Sequence, residues 1–204
     1  FYAGNCSAEK QLEHVQRIQT AAINMKEMLS SVLMLERAEA KKTKFEPEPF
    51  NLLSFCKELM DEMRLNDQDN HQLIFEPKSL PANIQTYMDG KLLRQIFTNL
   101  LSNALKYSPK GSTVHFRLDC DEKFAHLEVQ DEGIGIPASD QVRLFEAFHR
   151  GTNVGMISGN GLGLAIVRQS VEDHQGRIDI MSQENRGTIV RVRLPLQAHP
   201  LVSE

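Results

Sequence analysis

Apolar residues along this chain follow two periods, and the changes of period divide it into elements. Between about Ala8 and Lys42, Val15, Ile18, Ala22, Met25, Leu29 and Val32 recur at alternating spacings of three and four, with charged residues between them. Ile23, Met28, Leu33 and Leu35 widen the stripe into a heptad seam, which predicts one long helix, N-capped by Ser7, that packs in a helical bundle. The plainer alternative is an amphipathic helix folded back on its own domain, but a helix this long outreaches a domain of this size. Pro47 and Pro49 then stop any helix, and the charged run around them predicts a domain boundary. The chain thus reads as a helical region over 1–46 and a second domain over 47–204.

The second domain alternates between helical and strand periods. Leu52–Leu65 has helical spacing, with Asn51 as N-cap, and Asn66–Gln72 is a polar loop. Short strands are predicted at Leu73–Pro77 and Ile84–Met88. From Asp89 to Tyr107 a helix carries Leu92, Leu93, Ile96, Phe97, Leu100, Leu101, Ala104 and Leu105 at helical spacing. Val114–Asp119 and Phe124–Gln130 alternate apolar and polar residues, as paired antiparallel strands do. After Ile136-Pro137 come Val142, Leu144, Phe145 and Phe148, with the two phenylalanines expected to anchor the segment that follows. A helix over Leu162–His174 is expected to end on Gly176 as its C-cap. Ile178–Ser182 and Thr188–Leu194 form a last hairpin, and Leu196–Glu204 a frayed tail. The expected fold class is α+β: a two-layer α/β sandwich, with three helices over one face of a mixed sheet.

Composition narrows the function classes. The chain has 204 residues, 41% of them hydrophobic, and a formal charge of −4, so no basic field points to nucleic acid. Cys6, Cys56 and Cys120 are odd in number and lack metal spacing, which suits a reducing, cytoplasmic setting. No apolar run approaches the roughly 20 residues of a membrane helix, and no signal peptide opens the chain. It begins at Phe1 rather than Met, so further sequence is expected upstream, and any membrane anchor would lie there.

The candidate chemistry lies in two stretches. Asp131 to Val167 contains DEGIGIP, LFEAFHRG, the segment GTNVGMISGN and GLGLAIV. Glycines let backbone approach a ligand closely, and the amides of Asn160, Gly161, Leu162 and Gly163 crowd at a helix N-terminus, where the partial positive charge favours an anion. Gly159–Gly163 alone also reads as a structural turn. It is not a P-loop, since no Lys-Ser/Thr follows the glycines. Upstream, Asn99, Asn103 and Lys106 form a polar stripe on an otherwise apolar helix. They either cap neighbouring backbone or supply oxygen ligands to Mg²⁺ and a cation to phosphate.

The helix with Asn99, Asn103 and Lys106, then DEGIGIP, LFEAFHRG and GLGLAIV, in this chain order, resemble the N, G1, F and G2 boxes of sensor histidine kinases, in the ATPase and kinase superfamily shared with gyrase and Hsp90. The match covers roughly residues 89 to 195. The resemblance implies a Bergerat-type ATP fold with ATP and Mg²⁺ as ligands. It places Asn103 on Mg²⁺, Asn99 near the triphosphate, and Lys106 and Tyr107 against phosphate or nucleotide. Asp131 would accept a hydrogen bond from the adenine amino group, with Gly133, Gly135 and Ile136 forming the turn at the base. Residues 150–160 would form the ATP lid, with Gly159, Gly161, Leu162 and Gly163 against the phosphates. Arg150 would reach the γ-phosphate or a partner domain, and the Thr188 hydroxyl would help to hold adenine.

The same resemblance makes the N-terminal seam the second helix of a dimerisation hairpin, whose first helix carries the phosphoacceptor histidine. None of the seven histidines has the acceptor pattern, so the acceptor is expected outside this chain. The implied activity is transfer of the ATP γ-phosphoryl group to that histidine, for relay to a response regulator receiver domain, in a homodimer. Two alternatives remain at this point. A gyrase-like ATP hydrolase would need a carboxylate where Asn99 stands, and an amide is no general base. A nucleotide-binding docking module without phosphotransfer is the other.

Overall fold

A computed structural model of the protein describes residues 45–78, 86–155, 157 and 159–197, with the isolated positions 14, 15, 18 and 25. The chain divides into two units, Phe1–Thr43 and Lys44–Glu204. In the first, His14, Val15, Ile18 and Met25 are helical; the rest of the predicted seam helix and its Ser7 cap lie outside the described residues.

The second unit runs β1 (Glu48–Phe50), α1 (Leu52–Asn66), β2 (Gln72–Pro77), β3 (Thr86–Met88), α2 (Gly90–Tyr107), β4 (Thr113–Cys120), β5 (Phe124–Gln130), α3 (Ala138–Gln141), α4 (Gly163–Asp173), β6 (Arg177–Ser182) and β7 (Thr188–Pro195). Five strands form one sheet in the order β2-β4-β5-β7-β6. β2 and β4 are parallel and the other pairs antiparallel, which makes the sheet mixed.

Strand alternation decides which face is covered. On β4 the side chains of Val114, Phe116, Leu118 and Cys120 are buried. They meet the apolar stripes of α1, α2 and α4 in one core that contains Leu59, Phe97, Leu101 and Val167. Phe116 lies at its centre, 5.4 Å from the Phe97 ring and 5.5 Å from Phe75. Each such side chain contributes about 1.5–3 kcal/mol on burial. The opposite face carries ion pairs across neighbouring strands, such as Arg117 with Glu76 and Glu128. The fold is therefore the expected sandwich, with three helices over one face of a mixed sheet.

The N-cap expected at Asn51 is found, and Asp89 caps α2 in the same way. Asn51 Oδ1 accepts the Ser54 N–H at 2.9 Å, and Asp89 Oδ1 accepts those of Lys91 and Leu92 at 3.0 and 3.2 Å.

The structure adds one element that was not expected and corrects two local expectations. First, the proline-bearing segment before α1 contains a strand, β1, with Pro49 opposite Tyr87 of β3. A two-stranded edge tolerates a proline because that N–H need not enter a ladder. Second, α4 closes on Gln175, not on Gly176. Gln175 takes the left-handed φ of 56°, its N–H donates to the Glu172 carbonyl, and that of Gly176 donates to Val171, both at 2.8 Å. Gly176 is needed for close approach, since a Cβ there would lie 2.5 Å from the Arg193 carbonyl oxygen. Third, Leu196 is not frayed: it is buried, and its backbone bonds to Tyr87 and Lys123 at 2.8 Å.

Candidate nucleotide site

The site lies where the ends of β5 and β7 meet the exposed flank of α2 and the start of α4. β5 delivers Asp131 as its chain leaves the sheet. The Asp131 N–H donates to the Thr188 carbonyl at 2.9 Å, while its Oδ1 accepts the N–H groups of Gly133 at 2.8 Å and Thr188 at 3.1 Å. Oδ2 takes no hydrogen bond from a described residue and can accept one from a ligand. Burial pushes the Asp131 carboxyl above the usual range, against the pull of the two N–H donors. A ligand N–H directed at Oδ2 would therefore meet an acceptor that water solvates poorly.

The glycine turn after Asp131 is fixed from both sides. The Ile134 N–H donates to the Tyr107 carbonyl at 3.1 Å, so the end of α2 supports the turn. Gly135 has a φ of 64°, and a Cβ there would lie 2.0 Å from the Gln183 carbonyl oxygen, so no other residue fits. The Ile136 N–H donates to Ser182 Oγ at 2.9 Å. Ser182 Oγ also lies 2.8 Å from Thr188 Oγ1, so the Thr188 hydroxyl is tied to the turn beside Asp131. Gln141 adds two bonds at 3.0 Å, to the carbonyls of Ile136 and Ser182. Neither Ser182 nor Gln141 stands out in the sequence, because each acts through a partner more than 40 positions away.

At the other end, α2 and α4 bring the asparagines to the glycines. A Cβ on Gly163 would sit 2.9 Å from Asn99 Oδ1 and 3.7 Å from Asn103 Nδ2. Asn99 uses its Nδ2 on the Gln95 carbonyl at 2.8 Å, which leaves its oxygen facing the start of α4. Asn103 is half-buried and makes no side-chain hydrogen bond to a described residue. The first backbone bond of α4 runs from Ile166 to the Leu162 carbonyl, so the N–H groups of Gly163, Leu164 and Ala165 have no helical acceptor. Leu162 anchors this end with a fully buried side chain, and Asn160 Oδ1 accepts its N–H at 3.0 Å. Three free amides, two amide side chains and a helix dipole together suit a polyanion.

Lys106 and Tyr107 border the same space. Lys106 Nζ lies 4.5 Å from the centre of the Tyr107 ring and would be 2.6 Å from a Cβ on Gly159. Arg150 is exposed and donates to the Ile157 carbonyl within its own loop. Phe145 lies under the Arg168 guanidinium. Phe148 is 55% exposed, so it anchors through its backbone, whose N–H donates to the Gly161 carbonyl at 3.0 Å. Asn99, Asn103, Lys106, Tyr107 and the glycines 159–163 thus gather at one end of the site, and Asp131, Gly133, Gly135, Ile136 and Thr188 at the other.

This arrangement defines a nucleotide-binding α/β sandwich with two separate groups of polar residues, one around Asp131 and one at the start of α4. Residues 88–198 match the family described as histidine kinase-, DNA gyrase B-, and HSP90-like ATPase (HATPase_c). The sensor histidine kinase WalK of Bacillus subtilis is 32% identical over 173 residues, 82% of this chain. The circadian input-output histidine kinase CikA of Thermosynechococcus vestitus is 32% identical over 94% of it. The chain spans 28% and 27% of the lengths of these two relatives. Among solved structures, the mycobacterial sensor histidine kinase MprB superposes with a TM-score of 0.63 at 31% identity, covering 74% of this chain and 100% of that one. Full-length ShkA in complex with AMPPNP shares the fold, with a TM-score of 0.78 at 20% identity over 96% of this chain and 41% of that one. The chain belongs to this ATPase family and carries the ATP-binding catalytic domain of a sensor histidine kinase.

Proposed function

We propose that this chain is the catalytic portion of a histidine kinase that transfers the γ-phosphoryl group of ATP to a histidine outside it. The observation that carries the reading is the meeting of Asn99 and Asn103 with the start of α4 at Gly163. In the transfer, an acceptor imidazole nitrogen attacks the γ-phosphorus, the bond to the β-phosphate oxygen breaks, ADP leaves and the imidazolium proton goes to solvent or a base. Such a reaction asks the protein mainly for position and charge neutralisation. The free amides of α4, with Lys106, would hold the phosphate oxygens, and Asp131 would hold the base with help from Thr188. Arg150 would turn to the γ-phosphate or to a partner domain.

The uncommitted Asn103 side chain and the Asn99 oxygen are hard oxygen donors, a set that fits Mg²⁺. Asn103 would bind the ion, with Asn99 beside it. Bound there, Mg²⁺ would neutralise charge on the phosphates.

We further infer a division into a dimerisation region over 1–46 and a catalytic domain over 47–204. The helical positions Val15, Ile18 and Met25 are 49%, 69% and 66% exposed, which supports a seam available to a second copy. The receiver domain of a response regulator would accept the phosphoryl group from the phosphohistidine. A cytoplasmic setting agrees with this role. Among the described residues, no helix is long and apolar enough to cross a membrane.

The test supplies Mg²⁺ and radiolabelled ATP to the chain, with a separate helical hairpin that contains an acceptor histidine. Acid-labile phosphate on the hairpin is the expected result. Tight nucleotide binding without label on any hairpin would favour a docking module, and label on this chain itself would refute an external acceptor.

A further inference from the structure

The short helix α3 stands between the base end and the lid segment, and its last two residues each hold one of them. Gln141 reaches the carbonyls of Ile136 and Ser182, and Ser182 meets Thr188 beside Asp131. Asp140 serves the other side. It is 5% exposed, and its Oδ2 accepts the Thr152 N–H at 2.7 Å and the Thr152 hydroxyl at 2.9 Å. Asn153, the next residue, donates through Nδ2 to the Gly135 carbonyl at 3.0 Å. The first turn of the lid segment is therefore pinned both to α3 and to the glycine turn that lies against the base.

A carboxylate so little exposed costs free energy unless donors satisfy it. The Thr152 N–H and hydroxyl do so, and they hold the Asp140 carboxyl below the usual range. It stays ionised at neutral pH, where charge-assisted bonds are stronger than neutral ones.

The geometry points to Asp140 as a positioning residue that couples the base end of the site to the lid, by fixing the direction in which residues 151–155 leave the phenylalanine-bearing segment. This rests on the ATP reading above. Asp131, Thr188, Ser182, Gln141, Asp140 and Thr152 form the connected path. Asp140 gives its Oδ2 to Thr152 and would act on the nucleotide only through it.

The test compares two ligands, since adenosine occupies only the base end while a non-hydrolysable ATP analogue occupies both. Their affinities are measured by titration for the wild type, Asp140→Asn, Thr152→Val and Thr152→Ser. Asp140→Asn and Thr152→Val should weaken the analogue about tenfold, the worth of one hydrogen bond to a charged group, and leave adenosine unchanged. Thr152→Ser, which keeps both donors, should bind the analogue as the wild type does. Thr152 is exposed, so its variants carry the test even if Asp140→Asn lowers the melting temperature. Equal losses for both ligands, or an unchanged analogue in both variants, would overturn the coupling alone. A wild type that binds neither ligand would overturn the ATP reading, and the coupling with it.

Discussion

At the proposed base end, Asp131 is held by backbone groups of the adjacent strand β7 and of the turn that follows β5; at the proposed phosphate end, the charges sit on helix termini and side chains whose own partners are few. Asp131 Oδ1 accepts two N–H groups, and Gly135 is wedged against the Gln183 carbonyl. By contrast, the opening amides of α4 have no helical acceptor and Asn103 has no described partner. A base is recognised by a fixed pattern of donors and acceptors, so its site benefits from rigidity. A triphosphate that must shed a group needs charge held ready, and free donors supply it.

Four measurements would break or sharpen this contrast. Asp131→Asn should have the largest effect, because it replaces a charged acceptor by an amide in a place built from backbone. Adenosine and ATP should both weaken, by about a hundredfold, the upper end of the range for a lost hydrogen bond to a charged group, of which about tenfold is the lower end. Calorimetric titration reads this, and retention of adenosine affinity would remove Asp131 from the base end. Gly163→Ala comes next, since its Cβ would meet Asn99 Oδ1 at 2.9 Å. ATP affinity should fall by about tenfold while adenosine is spared; a loss of both would show that the ends are not separate.

The third measurement concerns the far end of α4. His174 is fully buried, Nδ1 donates to the Ser170 carbonyl at 2.9 Å, and Nε2 accepts the Asp89 N–H at 3.3 Å. Burial holds the ring below the ordinary histidine value. The folded protein thus favours the neutral ring. Its contribution to stability is complete above about pH 6.5 and is lost as pH falls below that, by at most about 1.4 kcal/mol per unit. Denaturant unfolding between pH 7.5 and 5.5 measures it, and a His174→Gln variant should lose this slope. An identical slope in the variant would assign it to other groups. The smallest effect is expected for Thr188→Val, which removes one neutral bond to Ser182. Adenosine affinity should fall about fivefold; an equal change at the phosphate end alone would contradict the placement of Thr188.

Much of the fold is legible because long elements repeat their period. α1, α2, β5 and the hairpin of β6 and β7 begin and end within a residue or two of the expected bounds. β1 is hidden by two prolines in and beside a strand of three residues. Leu196 reads as part of a tail because a single apolar residue after a proline has no period to follow. At the end of α4 the glycine misleads, since a glycine after a helix suggests positive φ, whereas here Gln175 takes that φ and Gly176 makes room for β7.

The site shows the same division at the level of single residues. Which groups carry charge, which turns need glycine and which helix face is polar are written in the local order of Asn99, Asn103, Lys106, Asp131 and the glycines from 133 to 163. That follows from physics acting within a few residues: periodicity, backbone freedom and helix dipoles. That Ser182 and Gln141 brace the base end, that Asp140 holds Thr152, and that Gly163 comes within reach of Asn99 depends on chain segments brought together from 12 to 64 positions apart. Such pairings are set by the packing of α2, α4 and the sheet on one core, and a short polar side chain has no period that would announce its partner.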